Sequence, residues 1–181
     1  IVVDALASHD RAIALKPDYA AAHFERGRAL VELMRFEAAL ASLDEAIALG
    51  LSHPGAWYVR GVALYSLQRF AAALASYDKA IALAPLDARA HYNRGNTLIM
   101  LERPADALAS YDRAIALDPN TRSFYGARLH ARLQLADWRD LTAEVARVRA
   151  AIERGEVVAN PFEILALCDS PPLQRQAARN W

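Results

Sequence analysis

The chain has one cysteine, Cys168, so it forms no internal disulfide. A lone thiol suits a reducing setting, and a cytoplasmic location is the simpler expectation. Charge of one sign is also missing. The 21 Lys and Arg are balanced by 21 Asp and Glu, which removes the basic footprint of a binder of nucleic acid or anionic lipid. The longest stretch without Asp, Glu, Lys or Arg runs from Ala46 to Val59 and holds Gly50, Ser52, His53 and Pro54. It is too short to span a bilayer. The seven glycines are dispersed and build no phosphate loop. His9, His23, His53, His91 and His130 show no His-x-x-x-His spacing, and one cysteine makes no Cys-x-x-Cys, so a metal site is not expected. Gly-x-Ser-x-Gly is absent, and Cys168 lies in a short apolar run without an adjacent histidine. A nucleophilic enzyme therefore lacks its parts, and no cofactor or catalytic residue is expected. The chain opens at Ile1, inside a repeat and without Met, which suggests a piece of a longer protein.

What the sequence does contain is a period of 34 residues. Gly27, Gly61 and Gly95 fall at equal steps, as do Ala5, Ala39, Ala73 and Ala107, and Ala12, Ala46, Ala80 and Ala114. A period of this length points to stacked helical hairpins. The second half of the unit reads DALASHDRAIALKP from Asp4, AALASLDEAIALGL from Ala38, AALASYDKAIALAP from Ala72 and ADALASYDRAIALDP from Ala105. The first half reads AAHFERGRALVELMRF from Ala21, GAWYVRGVALYSLQRF from Gly55 and RAHYNRGNTLIMLERP from Arg89, with a degraded copy from Arg122. Both halves carry apolar residues at helical spacing, as in Trp57, Val59, Leu64 and Leu67. Asp18, Ser52 and Asp87 stand where N-caps belong. Pro17, Pro85 and Pro119 stop the second helix. Short turns at Leu33–Phe36 and Leu67–Phe70 join the halves. A mid-helix glycine costs about 1 kcal/mol relative to alanine. Its retention suggests close backbone approach, with the alanine columns serving the facing helix.

The spacing of Trp57, Gly61, Leu64, Ala73, Tyr77, Ala80 and Pro85 resembles the tetratricopeptide repeat. Gly95, Leu98, Ala107, Tyr111, Ala114 and Pro119 repeat that pattern. The resemblance implies an all-α fold, a right-handed superhelix of antiparallel hairpins. Its expected divisions are a second helix alone over 1–19, full repeats over 20–53, 54–87 and 88–121, and a degenerate repeat over 122–154. In that last unit Leu129 takes the glycine column, Leu141 and Val148 take alanine columns, and Glu153 takes the proline column. A non-repeating tail covers 155–181, where Pro172–Ala178 is expected to form a helix capping the last hairpin with help from Phe162, Ile164, Leu165 and Leu167. The stretch NPFEILALCDSPPLQRQAARNW resembles the segment before the catalytic domain in bacterial relatives of the O-linked N-acetylglucosamine transferase, the SPINDLY-like group.

The repeat resemblance implies a partner-binding concave groove lined by the first helix of each hairpin. Its residues would be Phe24, Arg28 and Val31, then Tyr58, Val62 and Tyr65, then Tyr92, Asn96 and Ile99. Aromatics anchor interfaces well, although Tyr58 and Tyr92 equally suit packing between hairpins. Arg28 has Val62 and Asn96 in its column, so no basic clamp for a C-terminal carboxylate exists. Asn93 and Asn96 occur in one repeat, with Glu25, Val59, Arg28 and Val62 elsewhere in their columns, which makes no asparagine ladder. Arg26, Arg60, Arg94 and Arg128 form a column, as do Asp10, Asp44, Asp78 and Asp112. A structural ladder of Arg–Asp pairs is expected. His23 and His91 share the column of Trp57 and are read as packing residues. The helix over 2–15 turns an apolar face (Val2, Ala5, Leu6, Ala12, Ile13, Leu15) toward the first hairpin on one side, and its outer side invites self-association. These features imply an interaction module for a protein or peptide, with no nucleic acid and no membrane as partner. The tail resemblance implies an alternative, the substrate-selecting arm of a protein O-glycosyltransferase. A passive spacer is a third reading.

Overall fold

The computed structural model describes residues 2–121, 123–137, 139, 141–157 and 170–180. The described residues are helical and contain no strand. Contacts divide the chain into two compact units, Ile1–Leu86 and Asp87–Trp181. The first unit holds α1 (Val2–Leu15), α2 (Ala20–Glu32), α3 (Phe36–Ala48), α4 (Pro54–Ser66) and α5 (Phe70–Leu83). The second holds α6 (Ala88–Met100), α7 (Pro104–Leu117), α8 (Ser123–Gln134), α9 (Leu141–Glu153) and α10 (Pro171–Asn180). Three residues join α2 to α3, α4 to α5 and α6 to α7, and the helices of each pair pack together. So short a link between packed helices requires an antiparallel hairpin.

Each of these turns has the same construction. Met34, Gln68 and Glu102 adopt the left-handed conformation, with φ of 57°, 58° and 57°. Met34 N–H donates to the Val31 carbonyl at 2.9 Å and Arg35 N–H to the Leu30 carbonyl at 2.8 Å. The same two bonds recur at Gln68 and Arg69, and at Glu102 and Arg103. They satisfy carbonyls that the helix end would otherwise leave bare. Ala136 repeats the device after α8, with φ of 52°.

The caps differ from the sequence expectation in two of three places. Asp87 does cap α6, accepting from Arg89 N–H at 3.0 Å. Ser52 does not cap α4. Pro54 opens that helix, the cap moves to His53, and its Nδ1 accepts from Gly55 N–H at 3.1 Å. Asp18 does not cap α2 either, because Tyr19 holds the cap position without a side-chain bond. The prolines behave as expected: α1, α5 and α7 end two residues before Pro17, Pro85 and Pro119. In α3, where Leu51 fills the proline column, Gly50 ends the helix at φ 87°.

Alanines make the core thin. Ala39, Ala46, Ala73, Ala80, Ala107 and Ala114 are all buried. The glycine column works differently from the backbone approach expected. A Cβ at Gly61 would lie 2.6 Å from Tyr77 Cε1, and one at Gly95 would lie 2.5 Å from Tyr111 Cε1. A Cβ at Gly27 would lie 2.6 Å from Leu43 Cγ and 3.3 Å from the Ala39 carbonyl oxygen. These glycines are seats for a large buried side chain sixteen residues later, on the other helix of the hairpin. In the degenerate hairpin the arrangement inverts: Leu129 fills the seat and Val145 replaces the tyrosine, so bulk moves across the interface.

At the N-terminus, α1 packs on α2 through buried Leu6, while Leu15 is 89% exposed and lies off that contact. In the second unit α10 packs on α9. Leu173 and Ala177 join Leu129, Val148, Ala151 and Ile152 in one buried cluster. The Asn180 side-chain amide donates to the Ile152 carbonyl at 3.0 Å and closes the contact. Phe162, Ile164, Leu165, Leu167 and Cys168 lie outside the described residues.

Candidate partner-binding face

In the first unit the positions Phe24, Arg28, Val31 on α2 and Tyr58, Val62, Tyr65 on α4 each follow i, i+4, i+7 spacing, so each set shares one helix face. The helices α2 and α4 touch. Apart from Arg28 these residues are half-buried and rest on the core cluster around Leu30, Leu64 and Tyr77. Tyr58 meets the Tyr77 ring edge-on at 6.0 Å, Tyr65 meets Phe70 at 5.5 Å, and Phe24 meets His53 at 5.3 Å. The face therefore both packs and shows its edges to solvent. Burial pushes the Tyr65 hydroxyl above its ordinary value. That holds it neutral, as a hydrogen-bonding group and never an anion near neutral pH.

Arg28 is half exposed but not an open cation. Its guanidinium donates to Glu25 at 2.9 Å and to Glu32 at 2.8 Å, one turn to either side. The Glu25 hydrogen bond and charge raise its pKa, with Glu32 adding to them. Arg28 is thus neutralised where it stands, and with Arg26 the stretch 25–32 sets two arginines against two glutamates, so no open cation is left for a carboxylate. An acidic peptide tail is thus disfavoured here for a second reason besides the missing clamp.

In the second unit Tyr92, Asn96 and Ile99 occupy the same positions on α6 and are half-buried. Tyr92 stacks on Phe124 at 4.8 Å and approaches Tyr111 at 5.9 Å. Asn96 is turned inward: its Oδ1 accepts from the buried Tyr111 hydroxyl at 2.8 Å.

The arginine column forms the expected ladder and more. Arg26 Nε donates to Asp10, Arg60 Nε to Asp44 and Arg128 Nε to Asp112, each at 2.6 Å. Each guanidinium also reaches forward sixteen residues. Arg26 donates to Ser42 at 2.5 Å, and Arg60 and Arg94 donate to Ser76 and Ser110 at 2.7 Å. One arginine therefore ties its own hairpin and the preceding helix together. The serine column was visible in the sequence, but its role depends on the hairpin register. In α9 that column holds Glu144, and in α8 the leucine column of Leu30, Leu64 and Leu98 holds Arg132. Both are buried, and Glu144 pairs with Arg128 at 2.6 Å and with Arg132. Burial works against the Arg128 charge, but Glu144 and Asp112 outweigh it and raise its pKa. Two coupled replacements thus put a buried ion pair where the other hairpins hold a leucine and an arginine-bonded serine.

The histidine reading is corrected at His23. It is no plain packing residue, since its Nε2 lies 2.8 Å from the Pro17 carbonyl oxygen. Tyr125, in the same column, donates to the Pro119 carbonyl at 3.2 Å. Trp57 instead lies under Arg60, 5.9 Å from the ring centre. No His, Cys, Asp and Glu group among the described residues is arranged to hold a metal. Cavities of about 280 and 500 Å³ flank α9, away from the nine predicted residues. Their one buried carboxylate, Glu144, is already ion-paired.

Comparison with known proteins decides the family. The family model described as "Tetratricopeptide repeat" matches residues 4–54, 24–86 and 63–121, which together cover more than half of the chain. The chain belongs to the tetratricopeptide repeat family. Among solved structures it is similar to MamA (residues 41 to the end) from Desulfovibrio magneticus RS-1, at 22% identity and TM-score 0.76, over 81% of this chain and 83% of that one. It is also similar to YrrB, described as a tetratricopeptide protein with an unusual peptide-binding site, at 17% identity and TM-score 0.73, over 98% and 84% of the two chains. The first such domain of Spaghetti (RPAP3), bound to the HSP90 peptide SRMEEVD, matches at 22% identity and TM-score 0.62, over 65% and 93%. These likenesses establish the tetratricopeptide fold. No curated protein matches the chain. None of the described helices is long and apolar enough to cross a membrane.

Proposed function

We propose that this tetratricopeptide chain is a protein-interaction module, and that it takes a protein or peptide segment on the first-helix faces of its hairpins. The observation that carries this reading is the face of α2 and α4: Phe24, Val31, Tyr58, Val62 and Tyr65 rest half-buried on a complete core. Large rigid side chains fixed from below give contact area at small entropic cost. Relatives of the same fold, YrrB and Spaghetti, are described with peptides. The equivalent positions Tyr92, Asn96 and Ile99 extend the reading to the second unit. The recognition-arm alternative rests on the tail, of which residues 158–169 lie outside the described structure.

The test is selection from a displayed library of random twelve-residue peptides, followed by affinity measurement against wild type, Tyr58→Ala and Tyr92→Ala. Loss of binding with a folded, cooperative melt supports the module. Equal affinity for all three proteins, or no selected peptide, favours a passive spacer. Self-association through α1 is a separate proposal: light scattering should show dimers at high concentration, and a strict monomer refutes it.

A further inference from the structure

One face of the second helix is closed in three hairpins and open in α1. In α3 that face consists of Ala39, Ser42, Leu43 and Ala46, all buried, and their counterparts in α5 and α7 are buried as well. In α1 the same columns hold Ala5, Ser8, His9 and Ala12. Their i, i+3, i+4, i+7 spacing puts them on one side of the helix. Ser8 is exposed there and the other three are half-buried. The helix α2 takes a different side of α1, through Leu6 and through Arg26, which reaches Asp10. Both alanines and the serine are the same residues as in the closed hairpins, so α1 keeps the surface of a hairpin interface.

The serine says what that surface fits. Ser42, Ser76 and Ser110 each donate to the carbonyl four residues back and accept from the arginine sixteen back. Ser8 makes the first of these bonds, to the Asp4 carbonyl at 2.9 Å, and no guanidinium reaches its oxygen among the described residues. In the closed hairpins that arginine is followed by a glycine, on which Leu43, Tyr77 or Tyr111 sits. We infer that the open face of α1 is a docking site for an amphipathic helix that carries arginine followed by glycine or another small residue. The arginine bonds Ser8, and the small residue seats the His9 ring. The three pairs inside the chain set this occupant: Arg26-Gly27, Arg60-Gly61 and Arg94-Gly95 lie on the helices that cover the equivalent faces. A folded second copy does not offer such a helix, because each of those arginines is already bonded in its own hairpin. The inference goes beyond the peptide face on α2 and α4 and does not depend on it.

The test uses the full chain, isotope-labelled, and a synthetic peptide with the sequence of residues 54–68, PGAWYVRGVALYSLQ. Isolated helices of this length are marginal in water, so the titration runs to millimolar peptide. Amide shifts should saturate at Ser8, His9 and Ala12. Ser8→Ala should weaken the peptide about three- to tenfold, the worth of one net hydrogen bond. Ser8→Glu should tighten it, because Glu144 accepts Arg128 from the same column of α9. Arg60→Ala in the peptide should abolish both effects. Thermal melting checks that the exposed Ser8 changes leave the free chain folded. If α1 shows no shifts, or wild type, Ser8→Ala and Ser8→Glu bind the peptide equally, the inference fails and the α2 and α4 face stands. Light scattering reads the competing occupant. A dimer that Ser8→Arg dissolves, with no helix peptide bound, gives this face to a second copy and overturns the inference.

Discussion

The seating of Tyr77 on Gly61 makes a prediction whose sign is not obvious. Gly61 sits inside α4, where alanine is favoured by about 1 kcal/mol on helix propensity. Packing argues the other way. The added methyl would lie 2.6 Å from Cε1 and 2.8 Å from Cδ1 and Cζ of Tyr77, against about 3.5–4.0 Å for good carbon contacts. The ring is enclosed, so it cannot retreat by that distance without shifting α5 against α4. Overpacking of this kind costs about 1–3 kcal/mol, and so close a contact belongs at the upper end. Gly61→Ala should therefore lose about 2 kcal/mol net, or about 4–8 °C in Tm for a chain of this length. The last hairpin supplies the rescue, since Leu129 and Val145 hold the inverted pair. Tyr77→Val alone leaves a cavity worth about 3 kcal/mol. Gly61→Leu with Tyr77→Val should recover about 2 kcal/mol or more relative to the sum of the single changes. Urea melts followed by circular dichroism and by tryptophan fluorescence read both results. If Gly61→Ala melts at or above wild type and the double change is additive, the seat is not what keeps the glycine.

Three further outcomes follow from the same packing. Arg132→Leu or Glu144→Ser alone should destabilise by about 1–3 kcal/mol, because each removes one partner of a buried pair although Arg128 still holds Glu144 and Asp137 still faces Arg132, while the pair together should restore stability to near wild type or above; urea melts in which the double variant is as weak as the sum would refute this. Arg60→Leu should cost about 1–3 kcal/mol through its lost bonds to Asp44 and Ser76 and leave peptide affinity unchanged; lost affinity with an unchanged melt would show the arginine to be part of the binding face. The Asp118 carboxyl is held below the ordinary carboxylate range by the Thr121 hydroxyl first and the Asn120 N–H second. A depressed native pKa gives stability that is present above the unfolded value near pH 4 and lost as pH falls through the native pKa. The stability gap between wild type and Asp118→Asn should therefore shrink on acidification below about pH 4, and a gap independent of pH contradicts the assignment.

What was legible in the sequence was whatever recurred at 34 residues. The hairpins, the alanine core, the proline stops and the Arg–Asp pairing all stand in columns, and the columns alone locate them. What escaped was chemistry that depends on the spacing across one hairpin. Arg60 reaches Ser76, Gly61 seats Tyr77, and Leu129 compensates Val145, each pair sixteen apart. A single period does not reveal that second register. The left-handed turns escaped for another reason. Met34, Gln68 and Glu102 carry no signal for positive φ, and the two hydrogen bonds closing each helix impose it. The caps moved because Pro54 fixes where α4 begins and leaves Ser52 one residue too early. The proposed face was half legible: helical spacing groups Tyr58, Val62 and Tyr65, but the Tyr111 hydroxyl that holds Asn96 inward becomes visible only when each side chain has a place.

The most direct measurement of the central claim is a titration of isotope-labelled protein with a library-selected peptide, followed by amide and side-chain NMR shifts. The account predicts saturating shifts on the α2 and α4 face, at Phe24, Val31, Tyr58, Val62 and Tyr65, with the outward residues of α3 and α5 unmoved. Shifts concentrated on α3 and α5, or around the cavities beside α9, would contradict it.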